Sequence, residues 1–599
     1  MLKSLKGIIK KIMKKLIAVF ICFVLSNLTA SAIEDLGGSN PAVINRQNQI
    51  QLRDLQIEKQ YIETTPKDID AEKKQIDDSK KKEVIKGNLT YNPQFKLNKV
   101  IFQGNTKVSD KKLQQLSKDL IGKEIYLEDV MDLTVKVSRF YQQKGYLTSY
   151  AYLAPQEITE GVVVINIKES KVAQKEAVGN RWEREWYFKN VALSGPGLQK
   201  DKIFNSKDLQ GAMKNLNKEA YLKGTAELTK DKDDNTVIKL NIADRLPINL
   251  DLSWDDFGRN YTGRQRFTGI LGMDNFLGFG DKIYGGAILS TDSKGALAGY
   301  QIPINKYGTK LAFDYSYSTL NLGGPYRNMG INGKATDYAI RLIHPLVNTA
   351  TKEISASISV DALNSRSDST VLSQNLSDYS LRVLRTGIYG MFDDRNGRTL
   401  SSMGVDMGTS LGASPNIENG PQSVFYKIVA SIARIQRLPR NCLGVIRLNG
   451  QYSPQSLYAA EQMYLGGVYS VRGYQPSELL GDYGISGTFE LRTPVPGLQK
   501  ILPKKIKSWS DKIKLAVFYD WGYVKEHNDL YGYPTNFISS FGFGTYVNLT
   551  DAIYVQMGIG IPVGPKNYNE DKARLYFSVN TDIDRIFLKP RERLSKEKL

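Results

Sequence analysis

Asp231, Asp233 and Asn235 present side-chain oxygens at the alternate spacing with which a calcium loop opens. The pattern then fails: Thr236 stands where the loop needs glycine, and Ile242 stands where a bidentate acid would close the shell. A hairpin turn is expected there and no metal site. His344 and His527 lie far apart, and Cys442 is the only cysteine after Cys22, so an intramolecular disulfide in the mature chain is excluded and neither a zinc cluster nor a Cys–His nucleophile is expected. No Ser/His/Asp grouping or phosphate-binding glycine loop has a suitable setting. No catalytic residue, metal or cofactor is assigned, and an enzyme is the least favoured class. The remaining chemistry is charge pairing. Val471-Arg472-Gly473-Tyr474 lies within a long connection, Ser453–Tyr483, and Asp520 lies in Leu515-Ala516-Val517-Phe518-Tyr519-Asp520-Trp521-Gly522-Tyr523. If the second stretch is a strand with Leu515, Val517, Tyr519, Trp521 and Tyr523 on one apolar face, then Phe518, Asp520 and Gly522 point the other way. A carboxylate there is costly unless partnered, and Arg472 offers a planar, bidentate partner if its loop folds towards it. Gly522 would clear space for that approach.

The elements that must position this pair follow from periodicity. Apolar residues make up 41% of the 599, the mean hydropathy is −0.35, and past residue 32 no apolar run approaches the roughly 18 residues of a spanning helix. From Ile248 onward the hydrophobic period becomes two. Ile248, Leu250, Leu252 and Trp254 alternate with polar residues, as do Leu311, Phe313, Tyr315 and Tyr317, and Ile354, Ile358 and Val360. Sixteen such stretches are read near 248–257, 264–274, 281–290, 296–304, 309–319, 336–345, 352–363, 382–392, 400–411, 423–436, 442–453, 484–493, 513–524, 538–547, 552–562 and 572–580. Each can cross a bilayer at a tilt, and the number is even. Links after the fourth, eighth, tenth and fourteenth stretches are tight, whereas those after the fifth, seventh and eleventh run to about 16, 18 and 30 residues. Only Pro494–Lys512 breaks the alternation. Aromatic outward faces on so many long strands favour a transmembrane barrel over a soluble sandwich.

Ahead of the barrel the chain divides into zones. Residues 1–32 read as a signal peptide: six lysines, an apolar core Leu16–Leu25 too short to span, and Ala30-Ser31-Ala32 as a cleavage site. In residues 33–65, Ser39 and Pro41 signal a helix to about Glu63, and 66–94 is a charged linker. Residues 95–172 read as a β-α-α-β-β unit. Its first helix is capped by Ser109 and carries Leu113, Leu116 and Leu120; its second carries Val130, Leu133, Val137 and Tyr141 and stops at Gly145. Residues 173–247 repeat the order more loosely, with a helix capped by Ser206. The exposed sheet edges of such units suit capture of an extended chain. The net charge of +19 is dispersed and interleaved with acids, so solvated charge is expected rather than nucleic-acid binding.

With these residues in place, the sequence resembles the two-partner secretion transporters of the POTRA–barrel outer-membrane superfamily. The resemblance rests on Val471-Arg472-Gly473-Tyr474, on Phe518-x-Asp520-x-Gly522, and on the barrel start, Asn249-Leu250-Asp251, Tyr261-Thr262-Gly263 and Asp274-Asn275-Phe276-Leu277-Gly278-Phe279-Gly280-Asp281. It also rests on Gly145-Tyr146-Leu147 with Tyr152-Leu153-Ala154-Pro155-Gln156 in the first unit. It implies an outer-membrane chain with two POTRA domains in the periplasm (95–172 and 173–247) and a barrel over 248–587. It further implies a plugging N-terminal helix within Ser39–Glu63 and an inward loop anchored through Arg472 and Asp520. The implied partners are a large β-helical exoprotein, exported unfolded, the lipid bilayer and the outer-membrane insertion machinery. An assembly factor that inserts other barrels usually carries three or more recruitment units, and a passive porin has no use for any; both are rivals. Such chains usually end on an aromatic residue of the last strand. Here Phe587 precedes a basic tail, 588–599, so either the strand ends at Phe587 or insertion is signalled differently.

Overall fold

The computed structural model describes residues 40–49, 92–218, 221–305, 307–349, 351–411, 420–497, 512–528, 535–550, 552–563 and 572–587. The signal peptide, residues 50–65 of the expected N-terminal helix, nearly all of the linker and the basic tail lie outside them. A helix, α1, occupies residues 41–49. Asn40 caps it: Oδ1 accepts the Ala42 N–H at 2.9 Å and the carbonyl accepts that of Ile44 at 3.0 Å.

The first small unit holds β1 (Gln94–Lys96), β2 (Lys99–Gln103), α2 (Asp110–Ser117), β3 (Glu124–Tyr126), α3 (Leu127–Gln143), β4 (Tyr150–Tyr152) and β5 (Val162–Lys168). Its main sheet runs β2-β5-β4, with β2 and β5 parallel. Val130, Leu133, Val137 and Tyr141, one stripe of α3, close onto Val100, Val163 and Ile165. Ser109 precedes α2 but its side chain makes no capping bond, and Leu120 falls beyond that helix while still packing on the core. The second unit has β6 (Val172–Val178), α4 (Glu185–Tyr187) continuing as a wider π-turn (Phe188–Ala192), α5 (Ser206–Lys218), β7 (Leu222–Lys230) and β8 (Thr236–Asp244), in the sheet order β6-β8-β7. Val172 thus starts the second sheet rather than ending the first unit. The cap of α5 is Asn205, whose Oδ1 accepts the Lys207 N–H at 2.9 Å; Ser206 is already helical. Asp231 Oδ1 accepts the N–H groups of Asp233 and Asn235 at 2.9 and 2.7 Å, which makes the calcium-like stretch the β7–β8 hairpin turn.

Past Pro247 the chain is a barrel. Its strands are β9 (Ile248–Asp255), β10 (Arg266–Asp274), β11 (Lys282–Ser290), β12 (Ser293–Pro303), β13 (Lys310–Asn321), β14 (Ile331–Asn348), β15 (Lys352–Ser369) and β16 (Gln374–Asp394). They continue with β17 (Gly397–Leu411), β18 (Val424–Leu438), β19 (Cys442–Tyr452), β22 (Tyr483–Pro494), β23 (Ile513–Lys525), β24 (Phe537–Thr550), β25 (Ile553–Val563) and β26 (Arg574–Asp582). Between β19 and β22 lies a small hairpin, β20 (Met463–Leu465) with β21 (Leu479–Gly481). Among the described residues sixteen antiparallel strands close the cylinder, β26 returning to β9 over the short register Ser578↔Asp255 to Asp582↔Asp251. Alternation sets the two faces: Phe313, Tyr315, Ile358 and Val360 are exposed towards lipid, while Ala312, Ser316, Ser318 and Ser359 are buried inside.

Two expectations need correction. The links after the fifth and seventh barrel strands are not long loops: β14 and β15 run to 18 residues and β16 to 21, so the chain leaves the membrane as ribbon. The last strand ends at Asp582, and Ile583–Phe587 turns into a short helix, α6, so Phe587 does not end a strand.

Candidate functional site

Two elements fill the lumen. From the N-terminus, α1 lies against the inner wall: Asn45 Nδ2 and Gln49 Nε2 donate to Ser316 Oγ at 2.9 and 2.8 Å, and the Pro41 carbonyl accepts from Ser318 Oγ at 3.0 Å. A Cβ on Gly333 of β14 would lie 2.9 Å from the Pro41 ring, so this glycine lets the helix start touch the wall. The connection 453–482 also folds inward. Val471 and Tyr474 join Leu465 and Leu479 in a small core closed by Val524 and Ile538 of the wall.

At the tip of that loop, Arg472 meets Asp520 on β23. Nε donates to Oδ2 at 2.7 Å, Nη2 to Oδ1 at 2.9 Å, and the Arg472 backbone N–H also reaches Oδ2 at 3.1 Å. The remaining arm, Nη1, donates to Glu490 Oε2 at 2.5 Å, and the guanidinium centre lies 3.4 Å from the centroid of the Phe518 ring. Glu490 in turn accepts from Arg492 at 2.5 Å and from the Tyr546 hydroxyl at 2.8 Å. One buried cation is thus shared by two buried carboxylates, and every group is hydrogen-bonded. Such an ensemble is rigid while complete and costs about 3–5 kcal/mol when one partner is removed. Gly473, at φ +98°, adopts a conformation that other residues rarely take, and its N–H donates to the Tyr576 hydroxyl. The Tyr474 hydroxyl donates to the Ser539 carbonyl at 3.2 Å.

Gly522 does not make room for Arg472. A Cβ there would lie 2.6 Å from Leu465 of β20, so this glycine seats the loop's small hairpin. The tip itself is accommodated by Gly560 on β25, where a Cβ would fall 2.4 Å from the Gly473 nitrogen. Sequence reasoning missed Gly560 and Glu490. Glu490 had a legible signal: on β22 it shares the inward phase of Ser486 and Thr488, opposite Phe518 in register.

A second charged cluster, also missed, joins the two inserts. Glu461 of the inward loop is fully buried and accepts from Arg46 Nη1 of α1 at 3.0 Å. Two wall residues complete its shell, Arg385 of β16 at 2.7 Å and Lys427 of β18 at 2.7 Å. Arg385 also bonds Asp361 and Asp406 at 2.5 and 2.6 Å.

The first-unit residues sit elsewhere. Gly145, at φ +102°, ends α3, and its carbonyl accepts the Ser206 N–H at 2.8 Å, so it forms the joint with the second unit. Tyr146 packs its ring 5.9 Å from that of Tyr141. Pro155 is exposed in the segment after β4. Gln156 accepts the Val164 N–H and donates to the Val164 carbonyl, both at 2.7 Å, extending the β4 side of the sheet by one pair. Asn275–Asp281, the β10–β11 turn, holds the second unit: Asn275 Nδ2 donates to the Trp182 carbonyl at 2.6 Å, and the Arg184 guanidinium lies 4.5 Å from the centroid of the Phe279 ring.

A lipid-facing barrel whose lumen holds a helix and an inward loop, fed by small α/β units with open sheet edges, defines an outer-membrane channel for polypeptides. Residues 234–547, more than half of the chain, match the family described as haemolysin secretion/activation protein ShlB/FhaC/HecB, and residues 95–170 match the POTRA domain of ShlB type. The chain belongs to that family of two-partner secretion transporters, and with it to the outer membrane, its POTRA domains in the periplasm. It is 25% identical to the heme/hemopexin transporter protein HuxB of Haemophilus influenzae strain 86-028NP, over 80% of this chain and 85% of the relative. It is 26% identical to the outer membrane transporter CdiB of Dickeya dadantii, over 78% and 82% of the two chains. The hemolysin transporter protein HpmB of Proteus mirabilis is 24% identical over 88% and 91%. Of solved structures, CdiB from Escherichia coli superposes with a TM-score of 0.72 at 18% identity, covering 92% of this chain and all of that one, which speaks for the fold.

Proposed function

We propose that this chain recruits one exoprotein in the periplasm, unfolded, and passes it outward through the barrel lumen once α1 has left and the loop at 453–482 has moved. The observation that carries this is the way the lumen is closed. Beside small apolar clusters, the closing elements are held by polar contacts: Asn45, Gln49 and Arg46 on the helix, and Arg472 on the loop. Water and an extended polypeptide backbone can substitute for such partners, whereas a dry apolar plug would resist both. In this reading Val471, Arg472, Gly473 and Tyr474, with Phe518, Asp520 and Gly522, form the loop anchor. Gly145, Tyr146, Pro155 and Gln156 shape the first POTRA domain, which ends just before Val172 opens the second.

The cargo is large and β-helical, the outer-membrane insertion machinery places the barrel, and neither catalysis nor nucleic acid enters. The POTRA sheets take up the cargo by strand addition at their edges, since β2 and β4, and β6 and β7, each pair on one side among the described residues. No nucleotide is available outside the inner membrane, so folding of the cargo at the cell surface supplies direction. Loss of the gene tests the reading: one exoprotein should vanish from the medium while other outer-membrane proteins keep their levels. A general loss of barrels would instead mark an assembly factor. A cargo fragment made unable to fold should be secreted poorly; normal secretion of it would remove folding as the driver.

A further inference from the structure

We propose that the second periplasmic unit is moored on the inner leaflet of the outer membrane through Trp182 and Trp186, which extend the barrel's lipid belt together with Phe276 and Leu277 of the β10–β11 turn. Four large apolar side chains stand out at this place, with relative exposures of 47, 46, 49 and 48% respectively. Their position relative to the membrane is fixed from two sides. The hairpin β10–β11 carries lipid-facing Leu271 and Ile283 up to its last pairs, Met273↔Ile283 and Asp274↔Lys282, and Phe276 and Leu277 follow directly. The exposed apolar surface therefore continues from the hydrocarbon zone to the headgroup level without a polar break. Trp182 is held at the same level by the linker into the barrel: its N–H and that of Arg181 both donate to Asp244 Oδ2, at 2.9 and 2.8 Å, and Asp244 ends β8 shortly before membrane strand β9 begins at Ile248. Trp186 packs edge-on against Phe279 of the turn at 5.6 Å.

Indole rings favour the headgroup region, where an apolar body meets a polar edge. Arg181 and Arg184 flank them, exposed on the same segment, and supply cations for lipid phosphates. The occupant that this surface fits is thus an anionic lipid headgroup layer, continuous with the bilayer that the barrel already spans. Such mooring would fix the POTRA edge at a set distance from the lumen mouth.

The test uses the full-length chain with Cys22 and Cys442 replaced by serine, carrying W182C, W186C or R181C. Each cysteine is labelled with an environment-sensitive fluorophore, and the protein is placed in phosphatidylethanolamine/phosphatidylglycerol nanodiscs. R181C keeps both tryptophans, so its result does not depend on the loss of an indole. L271C serves as the lipid-facing reference and K232C, on the β7–β8 turn, as the aqueous one. A lipid carrying a headgroup nitroxide should quench labels at 181, 182 and 186 several-fold more than at 232. Quenching equal to that at 232 overturns the proposal, because the surface then faces water. Protection from both lipid-borne and water-soluble nitroxide also overturns it, because a second copy or another protein then covers the surface.

Discussion

Arg46 of α1 donates to Glu461 of the inward loop across 3.0 Å, so the two elements that fill the lumen are bonded to each other as well as to the wall. Glu461 is buried and shared by Arg46, Arg385 and Lys427, while Arg46 remains partly exposed. The asymmetry sets an order of release. Arg46 can exchange its bond for water, whereas moving Glu461 would take from Lys427 its nearest carboxylate and from Arg385 one of three, so in the proposed mechanism the helix departs first.

Arg46→Ala should therefore loosen the plug without unfolding the loop. The lost contacts are a charged pair and a 3.2 Å bond to the Ala460 carbonyl, both partly exposed, so the expected cost is about 1 kcal/mol, or about fivefold in the open population. Single-channel recording in planar bilayers should show longer open times at unchanged unit conductance. Glu461→Gln should have the larger effect, because Arg385 and Lys427 lose their shared anion. Equal open times in wild type and both variants would dissolve the coupling.

At the loop tip, Asp520→Asn removes charge but keeps a side-chain acceptor, and Arg472→Lys keeps charge but loses the fork that spans Asp520 and Glu490. Both should lower secretion of the exoprotein by at least about tenfold, a cost of 1.4 kcal/mol that lies well inside the penalty for breaking a buried pair. Barrel insertion, read from heat-modifiable electrophoretic mobility, should stay near wild type. Secretion within twofold of normal in both variants would remove the loop anchor from the mechanism.

The barrel was legible because lipid on one side and a wet or polar lumen on the other force a period of two, which Ile354–Asp361 carry throughout and Leu311–Ser318 carry apart from Ala312. Strand ends were less so: β14 to β16 continue above the bilayer, where no hydrocarbon enforces alternation, and their polar upper halves read as loop. The Arg472–Asp520 pair could be anticipated from an inward carboxylate in search of a partner. Glu461 could not, since a loop has no period and its three partners come from distant stretches. Gly522 was assigned to the wrong neighbour for a related reason: the space a glycine frees is visible in sequence, but what enters it is decided by tertiary packing, here Leu465.

That distinction between two glycines is testable. Gly560→Ala would set a methyl group 2.4 Å from the Gly473 nitrogen and 2.8 Å from the Arg472 carbonyl carbon, both backbone atoms with nowhere to move. Gly522→Ala would meet the end of the Leu465 side chain, which can rotate. Secretion should fall several-fold in the first and remain near normal in the second. The reverse order would mean that the β20–β21 hairpin, rather than the Arg472 tip, is the part of the loop that matters.

The two POTRA units are joined by a bond that titrates only at the extremes of pH. The Tyr150 hydroxyl donates to Asp234 Oδ2 at 2.5 Å; this bond and some burial push the phenol up to about 12, while the same bond and Lys230 hold the carboxyl below its ordinary value. The signs follow. A raised phenol pKa means that the bond's contribution is complete below about 10 and is lost as pH climbs through about 12. A lowered carboxyl pKa means that the contribution is complete above about 4 and is lost only under stronger acid. Between those limits the joint should be insensitive to pH, so the distance between spin labels on the two units, measured by double electron–electron resonance, should keep one narrow distribution from pH 5 to pH 9. Tyr150→Phe removes the donor and should broaden that distribution at every pH, with the Gly145–Ser206 and Thr148–Thr236 bonds and the packing of Leu147 left to hold a looser joint. A wild-type distribution that broadens within the neutral range, or a Tyr150→Phe variant indistinguishable from wild type, would show that this bond does not set the angle at which the recruiting edge meets the barrel.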